Sequence, residues 1–150
     1  MALFSSSKRL RSADFTEEDI MYKARFIFGR DPYKERAPAT EDRKFRALFG
    51  CSVAVAKVIW DLLNEEDLVP QGGKLIHLLW ALLFVKVYPT EETLTSLCGD
   101  TTGEPERKTV RKWINLFMES ISYLTDRVVS NSYDECLCSN ERVSFFLCFD

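Results

Sequence analysis

Leu75-Ile-His-Leu-Leu-Trp-Ala-Leu-Leu-Phe-Val-Lys-Val87, then Pro89-Thr-Glu-Glu-Thr-Leu-Thr-Ser-Leu-Cys-Gly99, then Arg107-Lys-Thr-Val-Arg-Lys-Trp-Ile-Asn-Leu-Phe117 form the stretch that decides the fold. The first segment is apolar on nearly every face, which predicts a helix surrounded by others. Pro89 ends it, since proline lacks the N–H a helix needs and disfavours helix in the residue before it. Thr90 is an N-cap, and Glu91 and Glu92 fall in the first turn, where the helix dipole favours acids. Leu94, Leu97 and Cys98 give this short helix one apolar side, and Gly99 is expected to close it in the left-handed conformation. Pro105 opens the last helix, with Thr102 or Glu104 near its start.

On that last helix Val110, Trp113, Ile114, Phe117, Ile121 and Leu124 recur at the helical period. Lys108, Arg111, Lys112 and Asn115 fall on the opposite side, three and four apart. After Glu106 no acid interrupts these cations until Glu119. A central helix, a short helix, a spacer and a basic amphipathic helix together predict a helix-turn-helix, a module that sets its last helix in the DNA major groove. Leu79, Trp80, Leu82, Leu83, Trp113 and Phe117 are expected to share one core.

Working outward, Thr16 and Asp19 mark a helix start, with Ile20, Ala24, Ile27 and Phe28 as its apolar stripe and Gly29 as its end. Pro32 and Pro38 among charges predict a linker over 30–39. Thr40 is expected to cap a helix that turns Phe45, Leu48 and Phe49 inward and stops at Gly50. Ser52 caps the next, on which Val55, Ile59, Leu62 and Leu63 line one side and Trp60 packs nearby. The chain is expected to divide accordingly into 1–39, a flexible N-terminal segment with one short helix, 40–127, the helical helix-turn-helix domain, and 128–150, a tail that reads as the first strand of something missing or a substitute for it. In the tail Ser130-Asn-Ser-Tyr133 is turn-like and Val143-Ser-Phe-Phe-Leu-Cys-Phe149 is β-prone. The fold class is all-α: a multi-helix bundle with an irregular or short β-prone C-terminal tail.

Composition sets outer bounds. A chain of 150 residues with 46% hydrophobic and 13% aromatic residues can build one domain with a real core. Its net charge of −3 and pI near 5.3 argue against a protein that coats nucleic acid over its whole surface. Charge is uneven, +3 over 1–46, −4 over 47–103 and −2 over 104–150, so any nucleic-acid contact must be local. Five cysteines without a regular frame point to reduced thiols and an intracellular setting. Cys136-x-Cys138 is a weak metal signal, because structural zinc needs four ligands and the chain has one histidine, His77, inside the apolar segment. His77 is expected in the core or at an interface. Neither a signal peptide nor a run long enough to span a bilayer is present. No phosphate-binding glycine loop or nucleophile elbow occurs, so no catalytic residue, metal or cofactor is assigned. The Lys8-Arg-Leu-Arg11 cluster is a minimal candidate for nuclear import.

Several fragments in order resemble a known family. Phe45-Arg-Ala-Leu-Phe-Gly-Cys51, Pro70-Gln-Gly-Gly73, Leu78-Leu-Trp80, Leu97-Cys-Gly99 and Lys108-Thr-Val-Arg-Lys-Trp113 are similar to the N-terminal region of PIF/Harbinger-type transposases, DDE superfamily endonucleases. The similarity covers about residues 45–127. It implies that Thr109-Val-Arg-Lys-Trp113 begins a recognition helix. The spacer 101–105 is longer than the tight turn usual in such modules. Cys136-Leu-Cys-Ser139 resembles the entry to the catalytic core, and Glu141 falls where the first catalytic acid stands. The other two carboxylates do not follow. Cleavage by that route needs two divalent ions held by several converging carboxylates, so no nuclease activity is expected.

The function expected is therefore a transposase-derived helix-turn-helix that binds double-stranded DNA, nuclear, and lacking a complete DDE core. Lys108, Arg111 and Lys112 would touch phosphates, Thr109, Arg111 or Asn115 would reach base edges, and Arg107 would sit at the rim. The alternatives are a helical interaction module, binding itself or a related full-length transposase, and a fragment with no role whose tail comes from a misread frame.

Overall fold

A computed structural model describes residues 15–29, 36–99, 103 and 105–135. Over these residues the protein is all-helical, with α1 (Glu17–Ile27), α2 (Pro38–Phe49), α3 (Val53–Glu65), α4 (Leu75–Val87), α5 (Glu91–Leu97) and α6 (Arg107–Glu135). The β-prone segment 143–149, the cysteines at 136 and 138, Glu141 and the basic cluster at 8–11 lie outside the described residues.

Helix α4 is the hub. Leu75, Leu78, Leu79, Trp80, Ala81 and Leu83 are buried, and the helix packs against α6, α2 and α1. A helix with no polar stripe has no stable position at a surface, so its neighbours must close round it. Each neighbour supplies one apolar row: Ile20, Ala24 and Ile27 from α1, Phe45 and Phe49 from α2, and Val110, Ile114, Phe117 and Leu124 from α6. Of the expected core set, Leu82 and Trp113 are only partly buried and lie at its margin, while Leu79, Trp80, Leu83 and Phe117 are interior. The indole Nε1 of Trp80 is a buried donor with no acceptor among the described residues.

Local signals explain most helix ends. Thr16 and Asp19 form a reciprocal capping box, in which Thr16 N–H donates to Asp19 Oδ2 at 2.8 Å and Asp19 N–H to Thr16 Oγ1 at 3.2 Å. Ser52 and Thr90 cap α3 and α5 through their hydroxyls. Gly50 closes α2 in the left-handed conformation. Tyr88 takes a positive φ of 47° at the end of α4, immediately before Pro89.

Several sequence expectations need correction. Helix α2 begins at Pro38 with Ala37 as N-cap, so Thr40 lies inside it. Proline at the first helical position gives up no hydrogen bond there, and that advantage outweighs the threonine cap. Gly99 is not left-handed; Cys98 ends α5 with a right-handed cap, and Gly99 N–H turns back to Ser96 C=O. On α3 the inward row is Val53, Ala56, Trp60 and Leu63, with Ile59 and Leu62 only partly buried. Helix α6 does not stop near 127. It continues through the Ser130–Tyr133 stretch to Glu135, because adding residues to a formed helix costs far less than starting one. Helix α1 packs on α3 and α4 in the common core.

One polar contact ties α1 to α2. Arg25 donates through Nε and Nη2 to the two carboxylate oxygens of Glu41, at 3.0 and 2.8 Å, and Glu18 approaches its Nη1 at 3.0 Å. The Arg25 hydrogen bonds hold the Glu41 carboxyl below its usual range.

The hub assignment predicts graded sensitivity along α4. Leu83→Ala should cost about 3 kcal/mol, as expected when a fully buried leucine leaves a cavity. Leu82→Ala should cost clearly less, and Leu83→Asp should abolish the cooperative transition by burying an unpaired charge. Chemical denaturation of the three variants measures this; equal losses at 82 and 83 would refute the orientation of α4.

Candidate nucleic-acid interface

Helix α6 owes its position to its inner face. Phe117 is fully buried, stacks at 6.5 Å on Trp60 of α3 and lies 6.4 Å from His77 of α4. Trp113 stacks on the His77 imidazole, with ring centroids 4.2 Å apart and planes within 11°. His77 is itself fixed from below: the Lys74 backbone N–H donates to its Nδ1 at 3.1 Å. That bond makes Nδ1 an acceptor and places the imidazole proton on Nε2. The loop before α4 also touches α6. A Cβ at Gly73 would meet Pro70 O at 2.8 Å and the Phe117 ring at 3.1 Å, and Gly72 has a φ of +78° beside Trp113. Neither position accepts a side chain without displacing α6 or straining the turn. The Gly-Gly pair is thus a packing requirement of the helix it faces.

With the inner face held, the outer face is set. Arg107, Lys108, Arg111, Lys112 and Asn115 are exposed, and Thr109 is half-buried. All six residues expected to contact DNA lie on the first turns of one helix. They do not act as one field of free cations. Arg111 is ion-paired through Nη2 with Glu91 Oε1 on α5, and Arg107 Nη2 lies 3.7 Å from Glu92 Oε1. The Lys112 ammonium lies 5.5 Å from the centroid of the Trp113 ring, which steadies it without neutralising it. Lys108 projects from the helix beside it.

Sequence reasoning missed the two glutamates as partners of these arginines. It placed them correctly in the first turn of α5, but nothing in local spacing shows that this turn lies beside residues 107 and 111. The buried Leu94 of α5 creates that juxtaposition. The cleft between α4, α5 and α6, about 230 Å³, is lined by Phe84, Leu94, Val110 and Ile114 and by the polar side chains of Glu91, Thr95, Arg107, Arg111 and Asn115.

Of the described thiols, Cys51 is half-buried and Cys98 is buried. Burial pushes the thiols of Cys51 and Cys98 up to about 11 and about 12, so both stay protonated and poorly nucleophilic at neutral pH. Among the described residues no group of three His, Cys, Asp or Glu side chains converges to hold a metal ion. No single described helix is long and apolar enough to cross a membrane. No family model, curated protein or solved structure matches the chain.

The His77–Trp113 stack makes a pH prediction. Burial, and secondarily the nearby Lys74 charge, lower the His77 pKa from 6.5 to about 4. Below pH 6.5 the unfolded chain therefore takes up a proton that the folded chain refuses, so folding stability falls with decreasing pH. The loss is complete once pH passes the folded value, and amounts to about 3 kcal/mol for a shift of this size. Because the chain has one histidine, proton NMR of its imidazole reads the folded pKa directly. A midpoint near 4 is expected, and one near 6.5 would show that the ring is not enclosed.

Proposed function

We propose that this protein binds double-stranded DNA, with α5 and α6 acting as a helix-turn-helix and the outer face of α6 meeting the duplex. The observation that supports this most is the rigid mounting of a cationic face: Trp113 and Phe117 are locked from behind while Lys108 and Lys112 stand in solvent. A helix held in position presents those cations without having to be ordered itself on binding. In this reading Lys108 and Lys112 contact backbone phosphates, Arg107 sits at the rim, and Asn115 and Thr109 are the candidates to reach a base edge. Arg111 is engaged by Glu91 and enters the contact only when released. The fragments that resemble PIF/Harbinger-type transposases support a transposase-derived, nuclear origin for that binding.

A second reading, a module that binds another protein, is favoured by a different place. Val85, Val87 and Tyr88 at the end of α4 are exposed, Tyr88 by 75%. Self-association or binding of a related transposase through this end would explain such side chains.

Titration with a random-sequence duplex distinguishes the two. Two phosphate contacts imply a log–log salt slope of about −1.8, and Lys112→Ala should bring it to about −0.9. Incubation with Mg²⁺ or Mn²⁺ should nick no DNA above background. Replacing Lys108 and Lys112 together by Glu, with the fold retained, should abolish the shift. Undiminished binding by that variant would remove the face from the mechanism, and concentration-dependent sedimentation without duplex binding would favour the protein-interaction reading.

A further inference from the structure

We propose that Glu91 is a latch on the duplex-binding face: it holds Arg111 in the unbound protein and keeps it from phosphate or base until the carboxylate is displaced. This rests on the reading of α6 as the DNA-contacting helix. The cations on α6 form two rows along the helix axis. Arg107 and Arg111, one turn apart, line the cleft beside α5 and meet Glu92 and Glu91 there. Lys108 and Lys112 form the adjoining row and have no carboxylate partner among the described residues. The acids are thus confined to one of the two rows.

The latch side is held firmly. Thr90 caps α5, the Thr95 hydroxyl donates to the Glu91 carbonyl at 2.7 Å, and Leu94 and Thr95 are buried. The backbone of Glu91 is therefore fixed while its carboxylate, and the Arg111 guanidinium it meets, remain more than half exposed. An exposed ion pair adds little to folding. Its consequence lies in recognition. A phosphate approaching Arg111 meets a carboxylate first, and the arginine's planar fork, suited to two parallel bonds with guanine, is already engaged. The free protein then presents two available lysines, and the arginine joins only where the duplex offers a better partner than Glu91. A site rich in such partners gains on all others, so the latch raises discrimination while lowering general affinity.

Duplex titrations of four proteins test this: wild type, Glu91→Gln, Arg111→Gln and the double variant, with Glu65→Gln as a control for net charge on an exposed site of α3. Glu91→Gln should bind random duplex several-fold more tightly at low salt than wild type or the control. Its salt slope should be steeper by about 0.9, one further phosphate contact. The gain should vanish in the double variant, which should bind like Arg111→Gln alone. Melting midpoints should be the same for wild type and Glu91→Gln. If Glu91→Gln matches the control, or binds more weakly than wild type, Glu91 does not mask Arg111 and the latch is overturned, while the DNA-binding reading stands. If none of the proteins shifts duplex at low salt, the DNA-binding reading falls and the latch with it.

Discussion

Burial of an all-apolar helix is the constraint on which the rest of the structure depends. Helix α4 is apolar on nearly every face over its first turns, so α1, α2 and α6 each turn an apolar row onto it. That demand fixes the rotation of α6 about its own axis. With Val110, Ile114 and Phe117 turned inward, Lys108, Lys112 and Asn115 can only turn outward. The charged face is a by-product of the packed one, and it is as rigid as the core behind it.

The contact between α4 and α6 is tuned by a polar residue in an apolar place. His77 satisfies the backbone at the start of α4 through Nδ1 and offers its ring face to Trp113. A leucine there could fill the space but could not accept the Lys74 N–H, and a carboxylate could accept it but could not stack. A neutral imidazole does both. The buried surroundings keep it neutral well below its usual pKa. The glycines at 72 and 73 serve the same joint from the loop side: Gly72 supplies a positive φ beside Trp113, and a Cβ at Gly73 would press on Pro70 O and the Phe117 ring.

Much of this was legible in the sequence because it follows from local rules. The near-continuous apolarity of 75–85, broken by His77 alone, the periodic row from Val110 to Leu124 and the hydroxyl caps at Thr16, Ser52 and Thr90 each state their structural role within a few residues. What was not legible depends on competition or on distance. Thr40 and Pro38 both signal a helix start, and sequence alone does not rank them. The turn-like Ser130-Asn-Ser-Tyr133 is overridden by the helix that runs into it. For the candidate site, the location of all six residues on one helix was readable, but the partners of two were not. Glu91 and Arg111 are twenty positions apart, and only the docking of α5 on α6 through Leu94 brings them together. That pairing changes the site from one continuous basic face into an open row and a closed one.

The central claim is that the outer face of α6, set by α4, is where this protein meets its partner. Two-dimensional NMR of the labelled protein, recorded as duplex DNA is added at low salt, tests it residue by residue. The largest shifts are expected on Lys108, Thr109, Lys112 and Asn115, with smaller ones at Glu91 and Arg111 and none toward the far end of α6, where Arg127 pairs with Glu66. Shifts confined to Val85, Val87 and Tyr88, or an unchanged spectrum at saturating duplex, would contradict it.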